Sequence, residues 1–126
     1  MSRKNKLRKT ISITIPNNVS YTFDDNRVND NVLYAGNHLI KAKTTVSGSY
    51  TIRNGTKTIA GDAFYGCSSL SSITIPDSVT SIGYNAFSGC SKLASITYNG
   101  TIDQWISISG YYNIYETVVC TDGEYK

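Results

Sequence analysis

Side chains able to do chemistry are few in this sequence: one histidine, His38, three cysteines, Cys67, Cys90 and Cys120, and nine acids. A hydrolytic triad, acid–base catalysis by imidazole or a catalytic zinc would each need several such groups converging in one pocket. His38 stands alone in a stretch that reads as a hairpin turn, so a solvated or locally hydrogen-bonded ring is expected. The cysteines are odd in number, and their spacing fits neither a paired-cysteine zinc motif nor a disulfide-dense scaffold; free, packed thiols are expected. Asp24, Asp25, Asp62 and Asp77 are the acids to test for a glycosidase pair, but Asp62 and Asp77 fall in turn sequences and Asp24-Asp25 in a solvated loop. The glycines do not form a GxxxxGKS phosphate loop. These residues predict a non-enzymatic chain that uses no cofactor or metal.

What positions the remaining side chains is a repeat. Displacing the sequence by 23 residues aligns Tyr50–Ser72 with Ile73–Ser95, and ten columns are identical: Thr51/Thr74, Ile52/Ile75, Ile59/Ile82, Ala63/Ala86, Phe64/Phe87, Gly66/Gly89, Cys67/Cys90, Ser68/Ser91, Leu70/Leu93 and Ser72/Ser95. Most of these are apolar or small. Each unit can bury Ile, Leu and Phe only against the same positions of its neighbours, which predicts stacked coils with one shared interior. Within a coil, Leu70, Ile73 and Ile75 make a strand with alternate residues inward, Pro76-Asp77-Ser78 ends it, Val79 and Ile82 open a second inward segment, and Ala86-Phe87 with Gly89-Cys90 closes the turn. At about 4.8 Å per coil, four coils extend only about 20 Å.

The run Ile73-Thr74-Ile75-Pro76-Asp77-Ser78-Val79-Thr80-Ser81-Ile82-Gly83, followed by Ala86-Phe87-Ser88-Gly89-Cys90-Ser91-Lys92-Leu93, resembles the BspA-like leucine-rich repeat. The resemblance implies a mainly β, short right-handed solenoid of bacterial origin, whose relatives commonly serve adhesion or host interaction. Residues 50–72 depart from the pattern, with Arg53 in place of Pro, Thr56 in place of an apolar residue and the glycine shifted to Ala60-Gly61, so a looser first turn is expected.

At the carboxyl end, a third copy starts at Ile96-Thr97 and diverges. In the same register Ile102 replaces Val79 and Trp105 replaces Ile82, and residues 96–126 read as a cap that shields the last coil. At the amino end, Ile13-Thr14-Ile15-Pro16-Asn17-Asn18-Val19 repeats the strand-turn motif 37 residues before Tyr50, with an inserted hairpin from Val32-Leu33-Tyr34 to Leu39-Ile40. The division is therefore a basic arm over 1–10 and one solenoid domain over 11–126, comprising a long first coil (11–49), repeats at 50–72 and 73–95, and the cap (96–126).

A repeat scaffold without catalytic groups points to binding of a protein partner. Thr51, Thr74 and Thr97 form an outward column, which is also an ordinary strand surface. Tyr65, Tyr84, Tyr98, Tyr111 and Tyr112 offer large contact area at low entropic cost, with Tyr98 expected to be half-buried in an isoleucine column. Arg3, Lys4, Lys6, Arg8 and Lys9 put five cations in an arm ahead of a nearly neutral body. Such an arm is either simply solvated or makes weak contact with nucleic-acid phosphate or an acidic surface, and the alternative function is a cytoplasmic or mobile-element-encoded adaptor or inhibitor that binds a bacterial protein or nucleoprotein with the arm's help. Its basic residues lead into Thr10–Pro16 and not into a long apolar core with a cleavage site, so the sequence favours the cytoplasm, although implied relatives are often secreted or surface-bound. No segment has the roughly 20 apolar residues of a membrane span.

Overall fold

The computed structural model describes residues 21–24 and 32–126. The basic arm, the Ile13–Val19 motif and Asp25 lie outside the described residues. Among the described residues the strands are β1 (Tyr21–Asp24), β2 (Val32–Ala35), β3 (His38–Ala42), β4 (Gly48–Thr51), β5 (Thr58–Ile59), β6 (Leu70–Ile75), β7 (Ser81–Ile82), β8 (Ser95–Tyr98), β9 (Thr117–Cys120) and β10 (Gly123–Tyr125), with a short α-helix, α1 (Ile102–Ile106). They form two sheets, ordered β1-β2-β3-β5-β7 and β10-β9-β8-β6-β4. From β3 to β8 the chain alternates between the sheets, and β9 and β10 both join the second, giving a β-solenoid of about four turns.

The 23-residue period sets the register. Ile59 pairs with Ile82 in the first sheet, and Thr51, Thr74 and Thr97 are successive partners in the second. Strand alternation turns Ile73 and Ile75 inward from β6, where they join Phe64, Leu70, Ile82, Phe87 and Ile96 in one continuous core. The Phe64 and Phe87 rings stack with centroids 5.1 Å apart and planes inclined by 14°.

The turns after β5 and β7 share one backbone. Asp62 and Asn85 both have φ of 60°, and Gly66 and Gly89 follow at 75° and 80°. Asp and Asn tolerate this left-handed region better than other residues with a Cβ, which explains their interchange in this column. Close stacking fixes another glycine: a Cβ at Gly83 would overlap the backbone of Gly61 in the preceding coil.

The irregular coil, residues 50–72, is not looser at its first turn. Thr56 N–H donates to Arg53 O at 3.2 Å, just as Val79 N–H donates to Pro76 O at 3.3 Å. Buried Thr56 is accommodated because its hydroxyl donates to Arg53 O at 2.8 Å. Arg53 replaces proline by other contacts, its guanidinium lying 4.1 Å from the Tyr34 ring centroid and its N–H donating to the Tyr34 hydroxyl at 3.3 Å.

The cap departs from the 23-residue register. Trp105 is fully buried and packs edge-on against Tyr98 at 5.1 Å, yet it does not occupy the column of Ile82. Thr101 and Gln104 form a capping box that starts α1 in place of a strand turn, and the partner of Ser81 becomes Ser109, 28 residues on. Tyr98 is likewise buried more deeply than expected, at 2% exposure, because the Trp105 ring covers it. His38 opens β3 instead of occupying the turn, and its Nδ1 lies 2.7 Å from Thr58 Oγ1 in the next coil.

Candidate interaction surface

The two flanks joining the sheets differ in chemistry. Segments running from the first sheet to the second cover 43–47, 60–69, 83–94 and 110–116. They carry the tyrosines Tyr65, Tyr84, Tyr112 and Tyr115, which are 53%, 71%, 69% and 84% exposed. On the opposite flank, among the described residues, only Ile106 is a large exposed hydrophobic. Tyr84 and Tyr112 each follow three residues after the paired Ser81 and Ser109, so they occupy corresponding places on adjacent coils.

Tyr111 is only half-exposed. Its ring lies 5.8 Å from both Tyr112 and Tyr125, and it packs against the core as part of the cap. The threonines form a separate surface. Thr51, Thr74 and Thr97 lie side by side on the outer face of the second sheet, continued by Val119, and Ser49, Ser72, Ser95 and Thr117 run parallel to them. Ser72 donates to Ser49 at 3.0 Å, so part of that hydroxyl array is already engaged. The structure therefore divides the candidates between a hydroxyl-bearing sheet face and a tyrosine-bearing flank.

Tyr115 and Glu116 were not apparent from the repeat. They lie where the cap has lost the 23-residue correspondence, a few residues after the candidates Tyr111 and Tyr112. With Asn113 they face Phe87, Ser88, Gly89, Cys90 and Ser91 across a cleft of about 200 Å³.

All three cysteines are free and buried. Cys67 donates to Lys43 O at 3.6 Å and Cys90 to Phe64 O at 3.1 Å. Burial, reinforced by the neighbouring Cys67, pushes the Cys90 thiol up to about 12, and burial also raises Cys67 and Cys120. Raised, inward-pointing thiols are poor nucleophiles. Among the described residues, no three His, Cys, Asp or Glu side chains are placed to hold a metal ion, and no helix is long and apolar enough to cross a membrane.

A family model for the "BspA type Leucine rich repeat region (6 copies)" matches residues 42–116. A solved structure of a leucine rich cell surface protein from Faecalibacterium prausnitzii A2-165 is similar at 39% identity and a TM-score of 0.49, covering 56% of this chain. The match spans 20% of that protein's length. No curated protein matches. With the family match covering more than half of the sequence, and Phe64/Phe87 and Ile59/Ile82 stacked as its repeat requires, the chain belongs to the BspA-type leucine-rich repeat family.

Proposed function

We propose that this solenoid is a non-enzymatic protein-interaction module of the adhesion or host-interaction type, and that it binds through its tyrosine flank. The observation that carries this reading is the segregation of Tyr65, Tyr84, Tyr112 and Tyr115 to one side of the stack. Exposed tyrosines offer apolar area and a polar tip with few rotatable bonds, which favours protein contact, and a rigid ladder of coils holds them at fixed separations. The threonine face is the competing surface; its short side chains give less contact area per residue. The arm of Arg3, Lys4, Lys6, Arg8 and Lys9 supplies an accessory, salt-sensitive attraction to an acidic partner.

The test compares three full-length proteins immobilised and exposed to extracts of bacterial and host cells. These are the unaltered chain, a variant with Tyr65, Tyr84, Tyr112 and Tyr115 changed to Ser, and one with Thr51, Thr74 and Thr97 changed to Ala. Capture of a defined protein by the first and third, with loss in the second at unchanged circular dichroism, is expected. Equal capture by the tyrosine variant, or loss confined to the threonine variant, overturns the assignment of the flank.

A further inference from the structure

The cleft beside Tyr115 lies where the backbone ladder between coils stops. Along the tyrosine flank, Asp62 N–H donates to Tyr84 O at 3.0 Å, Phe64 N–H to Ala86 O at 2.7 Å and Gly66 N–H to Ser88 O at 2.8 Å. The counterparts one repeat later are Asn85, Phe87 and Gly89. They keep the same geometry, as the matching φ angles at Asn85 and Gly89 and the stacked Phe64 and Phe87 rings require. Their N–H groups therefore point toward the cap. There Ser109 O still accepts from Ile82 N–H at 2.7 Å, but the 3-10 turn at Tyr111–Asn113 then carries the chain away. Among the described residues, no hydrogen bond engages the Phe87 or Gly89 N–H.

The cleft thus combines two unanswered backbone donors, spaced two residues apart, with a selective wall. Among the described residues, Glu116 is the only charged residue lining it and has no ion-pair partner, and Tyr115 presents the most exposed large ring. A volume near 200 Å³ is too small for a typical small-molecule ligand, at about 300–1,000 Å³. It suits one side chain and a short length of main chain.

We propose that this cleft docks a short extended peptide segment of the protein partner, whose carbonyls at positions i and i+2 accept from Phe87 and Gly89 and whose arginine side chain meets Glu116 and Tyr115. Main-chain pairing of this kind completes an unfinished ladder, as the chain's own next coil does at Phe64 and Gly66. A guanidinium fits the wall better than an ammonium, because it pairs with a carboxylate in a fork and stacks on a tyrosine face. The inference rests on the protein-binding reading and names one contact of that partner.

Nuclear magnetic resonance on the full chain tests it in two steps. In the free protein, the Phe87 and Gly89 amides should exchange with solvent at least tenfold faster than those of Phe64 and Gly66; equal protection would mean the donors are already satisfied and overturns the proposal. Titration with acetyl-Thr-Arg-Thr-Val-amide should then move the Phe87 and Gly89 amide protons downfield in a saturable way. Glu116→Gln should weaken that binding about two- to fivefold, the range for an accessible ion pair. Saturable shifts confined to other residues, no saturable shift, or equal affinity for the citrulline analogue would each sink it. Partner capture that depends on the tyrosines but survives such a failure would leave the interaction flank standing without this contact.

Discussion

The aromatic rings of Phe64 and Phe87, separated by 23 positions in sequence, lie 5.1 Å apart and nearly parallel, so that each coil's ring is the floor for the next. The Tyr50 ring also packs against Phe64, with centroids 6.1 Å apart and planes inclined by 49°. This column is the interior that every other placement depends on. Replacing Phe87 by Ala should destabilise the protein by about 3–5 kcal/mol, the usual range for a buried aromatic. Urea unfolding followed by circular dichroism measures it; an unchanged midpoint would place the ring outside the core.

Coil spacing makes a second demand. The Gly83→Ala substitution forces a methyl group against the Gly61 backbone, which has no flexible end to move aside. Destabilisation of about 1–3 kcal/mol is expected, as for other overpacked interiors. Gly55→Ala is the control for steric contact, because its added Cβ would touch nothing, although its φ of 90° still carries backbone strain. A smaller loss at position 83 than at position 55 would contradict the close approach of coils.

At Asn85 the backbone, not packing, sets the cost. An alanine at φ of 60° should lose about 1–2 kcal/mol, whereas Asn85→Gly should be tolerated or better. Asp62 sits in the equivalent conformation and should respond in the same order. Thermal unfolding of the four single variants provides the comparison.

The cysteines give a pH dependence whose sign follows from burial. Cys90 keeps its proton up to about 12 in the fold, against 9.0 for an ordinary thiol. Its contribution is complete below pH 9 and declines between 9 and 12, because there the unfolded chain loses a proton that the folded chain retains. Stability should therefore fall over that interval, and less steeply in Cys90→Ala relative to that variant's own neutral-pH value. At pH 8, an aromatic disulfide reagent should label the folded protein slowly and all three thiols rapidly in denaturant. Rapid labelling of the folded chain would show that the thiols are accessible.

Repeat columns made the solenoid readable from sequence. Ile59/Ile82 and Phe64/Phe87 are identical pairs, and each pair proved to be a spatial contact. Family resemblance added the coil geometry, and the family match agrees with it. Substitutions hid their compensations: nothing local to Thr56 announced that its hydroxyl would bond Arg53 O, or to Arg53 that it would lie over Tyr34. The cap was harder because Thr101 and Gln104 divert the chain into α1, shifting the partner of Ser81 from the 23-residue register to Ser109. For the same reason Tyr65 and Tyr84 stand within recognisable repeats, whereas Tyr115 and Glu116 lie where the cap has lost the register. Outward threonines were legible from strand alternation alone, because Thr51, Thr74 and Thr97 keep one register across three strands.

The equivalence of successive coils has a consequence for how such a molecule lengthens. The junction between Ser72 and Ile73 falls within β6, at a place that recurs one period later in β8. Duplication of 23 codons there would insert a whole rung and leave both end structures meeting familiar neighbours. Insertion beyond Thr101 would instead separate the helix from the chain it covers. Growth by copying is thus confined to the regular coils ahead of α1, and each copy would extend the flank without altering the elements that cover the last coil.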